Sequence, residues 1–282
     1  MTRRPIALIA NPGSGSCDPD QVAAWLAAAG AGVTAFELDD AERAAASGAE
    51  RVVVAGGDGS VAPVAAAAGR HGVPLAVVPA GTANDFARGQ GLPDDAEEAC
   101  GVAVRGERLR PLDLGWMGER PFVNVASLGL PAPAARKATS WKRGLGPLAY
   151  AAGALGAGLT AKPVSCRAFC DGRLVHDGPT WQLTVACSGA FGAGSSIEEA
   201  DPADGELDLV AVEAGSRLRL PGIAYGLKAG RVTERRGVKH ARCARIEVAT
   251  PAPTGYNVDG EIVEEGSARF SVAPRAFELV VG

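Results

Sequence analysis

The 282-residue chain has 28 Lys or Arg and 32 Asp or Glu, which gives a formal net charge of −4. This balance argues against a general nucleic-acid-binding protein, because a surface that follows a phosphate backbone needs net positive charge. With 47% hydrophobic and 21% charged residues the composition is that of a globular protein, and the length suits two domains rather than a single core.

The cysteines and the N-terminus indicate a cytosolic protein. Six cysteines form no C-x-x-C pair and have no regular spacing, at positions 17, 100, 166, 170, 187 and 243. We therefore expect reduced thiols rather than a disulfide framework. The first apolar run, residues 5–10, is too short for the apolar region of a signal peptide and is typical of a first strand.

The first part of the chain alternates short apolar runs with helical patterns. Strands are predicted at residues 5–10, 33–38, 51–55 and 75–79. Helices are predicted at residues 18–29, 41–47, 60–69 and 94–105, the first with Asp18 as its N-cap and Pro19 at its first position. Strands that alternate with helices at this spacing indicate β-α-β units and a parallel sheet.

Further along the chain the pattern changes to strands without intervening helices. The short runs lie at residues 109–114, 122–127, 164–170, 181–187, 207–212, 246–249, 262–263 and 270–273. Such a series predicts an antiparallel β-sandwich. We therefore expect an α/β domain over residues 1–115 and a β-sandwich domain over residues 116–282, with the last strand as a candidate to return to the first domain.

Two predicted helical insertions interrupt the sandwich. Residues 144–161 carry no charge, but five glycines and a proline make them a poor membrane span. We expect a buried helix there, or a wall of small residues beside an apolar ligand. Residues 217–245 carry nine Lys or Arg and one acid, Glu234. This segment fits either a solvated face or a patch that holds the protein against anionic lipid headgroups.

Glycine-rich turns follow two neighbouring predicted strands. The run at residues 51–55 leads into Gly56-Gly57-Asp58-Gly59-Ser60, and the run at residues 75–79 leads into Ala80-Gly81-Thr82-Ala83-Asn84-Asp85. Turns without bulky side chains let backbone N–H groups approach phosphate, and in a parallel sheet both turns lie at the carboxyl edge, where ligands bind. The sequence therefore predicts a phosphate-binding site at these turns.

Several common motifs are excluded at this site. Residues 57–62 match G-x-G-x-x-A, but Pro79 and Ala80 stand where a dinucleotide-binding domain needs an acid. No P-loop, H-E-x-x-H or G-x-S-x-G motif occurs. What remains is a pair of turns suited to binding phosphate, together with acids on loops or at strand ends. These acids are Asp58, Asp85, Asp113, Asp204 and Asp259. The combination indicates phosphoryl transfer, although each Asp by itself fits a turn cap equally well.

The two turns belong to a longer series of motifs in the chain. The second turn continues as the motif Gly81 to Arg88, and the other motifs are Asn11-Pro12 with Ser14-Gly15, Leu112-Asp113-Leu114-Gly115, residues 122–126, residues 200–209 and Val258-Asp259-Gly260-Glu261. In this order they resemble the catalytic domain of the diacylglycerol and sphingosine kinase family, in its bacterial lipid-kinase form, over nearly the whole chain. The resemblance implies a three-layer α/β nucleotide-binding domain followed by an antiparallel β-sandwich that binds lipid.

The resemblance also implies the cofactors, ATP and Mg²⁺. ATP would bind at the early turns, through Asn11, Pro12, Gly13, Ser14, Gly15, Gly56, Gly57, Asp58, Gly59, Ser60, Gly81, Thr82, Asn84 and Asp85. Mg²⁺ would bridge the phosphates. The resemblance implies two sets of acids that hold metal. Asp85 and Asp113 belong with Asp58 to a network around the nucleotide, and a separate structural magnesium lies near Asp204, Asp201 and Glu206.

The catalytic residues implied by the resemblance are Asp58, Asp259 and Glu261. Asp259 and Glu261 are both candidates for the general base, which must take the proton of a lipid hydroxyl as the bond to phosphorus forms. The acceptor would be diacylglycerol or a related lipid, bound in a cleft between the domains. We expect a cytoplasmic protein that associates peripherally with a membrane surface. A homodimer is one of the oligomeric states that the sequence allows.

The chain departs from the family pattern at four places. Ser60 replaces the usual threonine of the first glycine turn, and residues 38–41 lack a threonine that in the family often touches the nucleotide. Residues 128–131 replace a glycine-aromatic-acid pattern of the family, and residues 188–191 replace an asparagine-glycine turn. Two alternatives therefore stay open beside a lipid kinase. One is an NAD kinase, which shares a similar glycine-acid turn, and the other is a catalytically silent lipid-binding or regulatory homologue.

Overall fold

The N-terminal part of the protein is a parallel sheet with helices on both faces. A computed structural model describes residues 3–11, 18–130, 162–192 and 194–282, and the fold is that of these ranges. The strands lie in the order β4-β3-β1-β2 and are β1 (Arg4–Ala10), β2 (Ala31–Phe36), β3 (Arg51–Gly56) and β4 (Leu75–Pro79). The helices are α1 (Pro19–Ala28), α2 (Ala41–Ala45), α3 (Asp58–His71), α4 (Asp85–Gly89) and α5 (Ala96–Arg105).

Alternation along the buried strands produces the three layers. Ala7 and Ile9 of β1 pack in one cluster with alanines and valines of α2 and α3. Ile6 and Leu8 face the other side and pack with α1 and α5. Because successive side chains of a strand point to opposite faces, a strand covered on both sides must be apolar throughout. The predicted α/β class is confirmed for this part of the chain.

The C-terminal part of the chain is built mainly of antiparallel strands. These are β5 (Arg108–Met117), β6 (Arg120–Phe122), β7 (Val125–Gly129), β8 (Val164–Cys170), β9 (Arg173–Ala186), β10 (Ala190–Phe191), β11 (Ser195–Ser196), β12 (Leu207–Glu213), β13 (Val238–Cys243), β14 (Arg245–Val258) and β15 (Glu261–Val281). One helix, α6 (Leu220–Lys228), lies between β12 and β13. The structure is thus an N-terminal α/β domain followed by an all-β domain, as the sequence predicts.

Strand β15 connects the two domains. Its first half pairs with β14, and its second half pairs with β5 and, through Leu279 opposite Leu75, with β4 of the parallel sheet. The separate strands predicted at residues 262–263 and 270–273 are wrong, because both runs belong to this one long strand. The interruption in their apolar pattern reflects exposed positions on β15, where polar side chains face solvent.

The single strand predicted at residues 122–127 is also wrong, since the structure has two strands there, β6 and β7. The backbone N–H groups of residues 123–125 donate to the carboxylate of Asp259. This carboxylate takes up the donors that a continuous strand would offer to a neighbouring strand, and the chain bends around it. A side chain 134 or more positions away therefore divides an apolar run that reads locally as one strand.

The two predicted insertions have different outcomes. The helix predicted at residues 144–161 lies outside the described residues. The segment 217–245 is helical only from a short 3₁₀ turn at Arg217–Arg219 to the end of α6, and its second part forms strand β13, so the prediction of a purely helical insertion is wrong. None of the helices in the described ranges has both the length and the apolar character to cross a bilayer.

The prediction that the cysteines are all reduced is wrong for one pair. Cys170 at the end of β8 and Cys243 at the end of β13 form a disulfide, with their Cα atoms 5.7 Å apart. That separation lies within the usual range for a disulfide. The pair is 73 residues apart in sequence, so only the folding of the sheet brings it together. Cys100, Cys166 and Cys187 are buried free thiols.

Candidate functional site

Two glycine turns contact each other at the carboxyl edge of the parallel sheet. Residues 56–60 lead from β3 into α3, and residues 80–84 lead from β4 into α4. A Cβ atom on Gly81 would lie 2.4 Å from the Cα of Gly57, and one on Gly56 would lie 2.9 Å from Ser60 Oγ. The contact at Gly81 is with backbone, which cannot rotate away as a side chain can. Only glycine therefore allows the two turns to approach this closely.

Polar side chains lie beside these turns. Asn11, directly after β1, donates from Nδ2 to Ser60 Oγ at 2.9 Å. Asn84 has a positive φ of 50°, and its Oδ1 accepts from the Gly81 N–H at 2.9 Å while its Nδ2 donates to the Gly81 carbonyl. Thr82 is exposed at the tip of the turn. The remaining predicted nucleotide contacts lie outside the described residues: Pro12, Gly13, Ser14 and Gly15.

Asp58 is the first residue of α3 and ties the two turns together. Its Oδ2 accepts from the N–H of Asp85 at 3.1 Å, and its Oδ1 accepts from the N–H of Phe86 at 2.8 Å. The same Oδ1 accepts from Asn124 Nδ2 of the all-β domain at 3.1 Å. A carboxylate at a helix N-terminus is stabilised by the helix dipole. Asp58 therefore fixes the start of α4 against the start of α3 and connects both to the second domain.

Asp259 lies in the tight turn between β14 and β15. Asp259 and Gly260 have φ values of 44° and 96°, which fits the Asp-Gly type I′ hairpin. The Asp259 carboxylate accepts three backbone hydrogen bonds, from Val123 at 2.7 Å, Asn124 at 3.1 Å and Val125 at 3.0 Å. Both of its oxygens are thus engaged by the chain, so Asp259 holds the hairpin against the segment between β6 and β7.

The protonation of Asp259 depends on two opposing effects. Burial raises the pKa of Asp259 to about 7, and the negative charge of Asp58 adds to the rise. The backbone N–H groups of residues 123–125 act in the other direction, because they favour the charged form. Asp259 therefore changes charge near neutral pH, in a position where its oxygens are already bound.

Asn124 joins the two carboxylates and was not assigned a role from the sequence. Its backbone N–H donates to Asp259 Oδ1 and its side-chain Nδ2 donates to Asp58 Oδ1, both at 3.1 Å. Its Oδ1 accepts from Ser188 Oγ at 3.0 Å, and only 3% of the residue is exposed. The available signals were the amide inside the apolar run FVNVA and the place of this run among the motifs that resemble the kinase family. A buried polar group needs hydrogen-bond partners, and here those partners are the site itself.

Glu261 follows the hairpin turn and reaches toward the first glycine turn. Its Oε1 lies 3.5 Å from the Cβ position of Gly59, and its Oε2 pairs with Arg120 Nη1 at 2.7 Å. The side chain is 61% exposed. A cavity of about 580 Å³ lies between the domains and is lined by Gly59, Asp259 and Glu261, with Leu38 and Arg70 among the residues of its other wall. Glu261 thus offers a carboxylate to solvent and to any molecule in this cavity.

Asp85 is buried at the start of α4, where its side chain is paired with Arg88 at 3.4 Å. Its backbone N–H is the donor that binds Asp58. Burial lowers the pKa of Lys228 at the end of α6, and the negative charge of Asp85 acts in the opposite direction. Asp85 therefore lies where the second turn, α4 and the end of α6 approach one another.

Asp113 is buried on β5 and binds backbone on both sides. Its Oδ2 accepts from the Gly205 N–H at 2.6 Å and its Oδ1 accepts from the Arg275 N–H at 2.7 Å. The Asp113 N–H in turn donates to the Pro202 carbonyl at 2.8 Å. Asp113 consequently holds the loop of residues 201–206 against an irregular point of β15. The structure does not bring its carboxylate into a hydrogen bond with Asp58 or Asp85.

Two carboxylates of the 201–206 loop pair with the same arginine. Asp204 Oδ1 accepts from the Glu206 N–H at 2.9 Å, and Asp204 Oδ2 pairs with Arg242 Nη2. Arg242 also lies 3.3 Å from Glu206 Oε2 and 3.8 Å from Asp208 Oδ1. Asp201 accepts from the Ala203 N–H. Burial raises the pKa of Asp204, whereas the Glu206 N–H and Arg242 lower it.

The predicted metal ligands do not come together. In the ranges that the structure describes, no group of three or more His, Cys, Asp or Glu side chains could hold a metal ion. The predicted ligands Asp201, Asp204 and Glu206 lie on one loop, where Arg242 pairs with Asp204 and Glu206 and the Ala203 N–H binds Asp201, so each of the three carboxylates has a partner within the chain. Asp85 lies at the start of α4, where it pairs with Arg88, and Asp113 lies on β5, where it binds the backbone N–H groups of Gly205 and Arg275.

Comparisons with known proteins identify both parts of the chain. Residues 5–117 match the model of the diacylglycerol kinase catalytic domain. Residues 124–281 match the model of the YegS C-terminal NAD kinase beta sandwich-like domain.

Relatives match over most of their own length. One, named "Probable lipid kinase YegS-like", from Pseudomonas aeruginosa strain PAO1, is 33% identical over 251 residues, which cover 84% of this chain and 78% of the relative. Another, named diacylglycerol kinase, from Mycobacterium tuberculosis strain H37Rv, is 29% identical over 248 residues and covers the same shares of the two chains.

Solved structures share the fold at low sequence identity. A crystal structure of a diacylglycerol kinase from Bacillus anthracis strain Sterne has a TM-score of 0.77 and 22% identity, and the match covers 100% of this chain and 98% of the other. Yeast NADH kinase in complex with NADH has a TM-score of 0.51 and 10% identity over 99% of this chain and 83% of the other. These likenesses concern the fold alone.

Proposed function

Since this chain belongs to the family with a diacylglycerol kinase catalytic domain and a YegS-type C-terminal domain, we propose that it is an ATP-dependent lipid kinase. The reaction transfers the γ-phosphoryl group of ATP to a hydroxyl group of diacylglycerol or a related lipid. The observation that carries the proposal is the cavity between the domains, where Gly59 of the first glycine turn lies opposite Glu261 of the hairpin.

The nucleotide half of the proposal is supported by the two glycine turns. The start of α3 directs backbone N–H groups and the positive end of a helix dipole to this edge of the sheet, which favours phosphate. The contact between Gly81 and Gly57 keeps the two turns together without side chains above them. ATP enters kinases as a complex with Mg²⁺, in which the ion neutralises part of the phosphate charge.

The acceptor half of the proposal assigns the general base to Glu261 rather than Asp259. The Glu261 carboxylate is open to the cavity, whereas both oxygens of Asp259 accept backbone hydrogen bonds. Glu261 takes the proton of the lipid hydroxyl while the hydroxyl oxygen bonds to the γ-phosphorus and the bond from phosphorus to the ADP oxygen breaks. Arg120 holds the Glu261 side chain toward the cavity through the ion pair at 2.7 Å.

Asp58, Asn124 and Asp259 orient the two halves of the site. They form a continuous hydrogen-bonded path from the start of α3 to the hairpin that carries Glu261. Groups held in this way keep donor and acceptor at a fixed separation, and small displacements of such groups cost much of a reaction rate. We therefore propose that these three are positioning residues and that Glu261 is the catalytic residue.

The test is a transfer reaction with labelled substrate. The full chain is incubated with Mg²⁺ and ATP labelled in the γ-phosphoryl group, in one sample with a total lipid extract and in another with NAD. We expect label in a phospholipid product, lost in Glu261→Gln and kept in Glu264→Gln, an exposed glutamate three positions along β15. Label on NAD alone, or on no acceptor, would overturn the proposal.

A further inference from the structure

The segment from Arg217 to Arg236, which contains α6, presents an apolar face to solvent. Leu218 is 91% exposed and Tyr225 is 68% exposed, and Pro221 between them is also exposed. Their spacing of three and four positions puts them on one side of the helix and the turn that precedes it. In the described part of the chain, Leu218 and Tyr225 are the two most exposed of the large hydrophobic side chains.

The opposite side of α6 is already packed, so these residues are not needed for its folding. Ile223 is buried in a cluster with Trp181 and Val232, and Leu220 and Leu227 pack partly against the same cluster. A helix that attaches to its domain through one apolar side usually has a polar outer side. Here the outer side carries a leucine and a tyrosine, which points to a second contact beyond the part of the chain that the structure describes.

Cations surround this face. From residue 217 to residue 236 the chain has a single acid, Glu234, and six basic residues, which are Arg217, Arg219, Lys228, Arg231, Arg235 and Arg236. Part of this charge is balanced locally, because Glu198 and Glu234 line a cavity of about 440 Å³ with Arg231 and Arg235. An excess of positive charge remains, on a protein whose net charge is −4.

Aromatic rings hold two of these arginines at the face. Arg217 lies over the ring of Trp181 at 5.2 Å, and Arg235 lies over the ring of Tyr225 at 5.7 Å. Tyrosine and arginine side chains combine an apolar body with a polar end, and they are suited to the boundary between water and lipid acyl chains. The face therefore offers apolar insertion and cationic contact within one short segment.

The end of α6 is connected through β10 to α4, the helix that follows the second glycine turn. Lys228 at the end of α6 has its Nζ 3.8 Å from the Cβ position of Gly194, in the segment joining β10 to β11. Ala190 of β10 in turn packs against Gly89 at the end of α4, where a Cβ would come within 2.9 Å. The end of α6 thus approaches α4, the helix that begins at Asp85 of the second glycine turn.

We propose that the segment from Arg217 to Arg236 docks on the surface of an anionic phospholipid bilayer, with Leu218 and Tyr225 entering the headgroup layer and the surrounding cations contacting lipid phosphates. The orientation it implies, with the cleft near the bilayer that supplies the acceptor, rests on the proposed lipid-kinase function. Binding itself does not, because amphipathic helices rich in basic residues bind anionic bilayers without catalysis.

The test measures binding of the full chain to vesicles by sedimentation. We expect the protein to bind vesicles made of equal parts phosphatidylglycerol and phosphatidylcholine. Binding should be at least tenfold weaker at 0.5 M salt, which screens the electrostatic attraction, and at least tenfold weaker on phosphatidylcholine alone, which has no net negative charge. Leu218→Glu combined with Tyr225→Glu should reduce binding by a similar factor. Leu174→Glu, at a 47% exposed leucine near the start of β9, is the control and should bind like the wild type.

Equal binding of the double variant and the wild type would overturn the docking proposal. A second result would also overturn it: the wild type does not bind vesicles, and light scattering shows a dimer for the wild type that the double variant does not form. That result would make a second copy of the chain the partner of this face. Activity on the total lipid extract in detergent micelles separates the two proposals. The double variant should keep that activity, and absence of activity in every form of the protein would contradict the kinase proposal while the vesicle result stands by itself.

Discussion

Asp58 and Asp259 belong to different domains, 201 positions apart, and are connected through one buried residue. Asn124 donates its backbone N–H to Asp259 and its side-chain amide to Asp58, both at 3.1 Å. The charge of Asp58 contributes to the raised pKa of Asp259. The two acids are therefore linked both by hydrogen bonds through Asn124 and by their charges. This connection fixes the hairpin that carries Glu261 relative to the first glycine turn.

Glu261→Gln should lower kcat by about 10²- to 10⁴-fold, the usual contribution of a general base. Glutamine keeps the size and the hydrogen bond to Arg120 but cannot accept the proton. Steady-state kinetics on the labelled lipid product checks this, and KM for ATP should change little because the glutamate lies on the acceptor side. Glu264→Gln is the control, and equal rates for both variants would assign the base elsewhere.

Asn124→Ala should reduce the free energy of unfolding by about 1–3 kcal/mol, since it removes a buried donor and acceptor and leaves Asp58 and Ser188 without this partner. The kinase rate should fall as well, because the hairpin and the glycine turn lose their connection. Urea unfolding and kinetics measure the two effects. Gln182→Ala, which removes only a bond to Thr184 within β9, is the control. Wild-type rate in Asn124→Ala would contradict the positioning role.

Asp259→Asn should change how stability depends on pH. The carboxyl has a folded pKa of about 7 against an ordinary value of 3.8, so the folded state binds the proton more tightly than the unfolded state. The contribution of this carboxyl group to the free energy of unfolding is therefore highest below pH 4 and falls as the pH rises toward 7. The fall is about 1.4 kcal/mol for each unit of difference between the folded and unfolded pKa values.

The Asn variant should lack this fall when unfolding by urea is measured at several pH values. Asparagine also tolerates the positive φ of 44° at this position. Asp171→Asn provides the control, since Asp171 is exposed in another turn with a φ of 46°. A pH profile of Asp259→Asn that matches the wild type would show that the carboxylate is ionised across this range.

Gly81→Ala should destabilise the nucleotide site, because the added methyl group would collide with the backbone of Gly57. Overpacking of this kind costs about 1–3 kcal/mol, and separation of the two turns should weaken ATP binding. Calorimetric titration with ATP and Mg²⁺ measures the affinity. Gly266→Ala is the control, since a Cβ there would meet no atom within 4 Å. Unchanged affinity in Gly81→Ala would remove this turn from the nucleotide site.

Arg242→Gln should lower the free energy of unfolding by about 1–3 kcal/mol, because Asp204 and Glu206 lose their cation and the buried Asp208 keeps only His240. If Arg242 takes the place of a bound metal at this loop, EDTA should leave the Tm of the wild type unchanged. A Tm of the wild type that falls on addition of EDTA and recovers with Mg²⁺ would restore the predicted magnesium site. Arg269→Gln, in an exposed pair with Glu247, is the control.

The local pattern of the sequence predicted the elements that depend on neighbours in the chain. The Asp18 side chain caps α1 by accepting from the N–H groups of Asp20 and Gln21, as the sequence indicates. The apolar runs of β3 and β4, the glycine turns after them and the Asp-Gly hairpin follow from the same short-range preferences. These features are governed by backbone conformation and burial within a few residues, so composition and spacing are sufficient to find them.

Only the tertiary structure decided which of these residues meet. The break between β6 and β7, the role of Asn124, the pairing of Arg242 with Asp204 and the disulfide of Cys170 with Cys243 all depend on contacts between residues from 38 to 136 positions apart. Hydrogen bonds, ion pairs and disulfides act over a few ångströms, and the sequence carries no record of distances in space. The proposal of Glu261 rather than Asp259 as the base depends on contacts of the same kind, because it rests on which carboxylate accepts backbone hydrogen bonds.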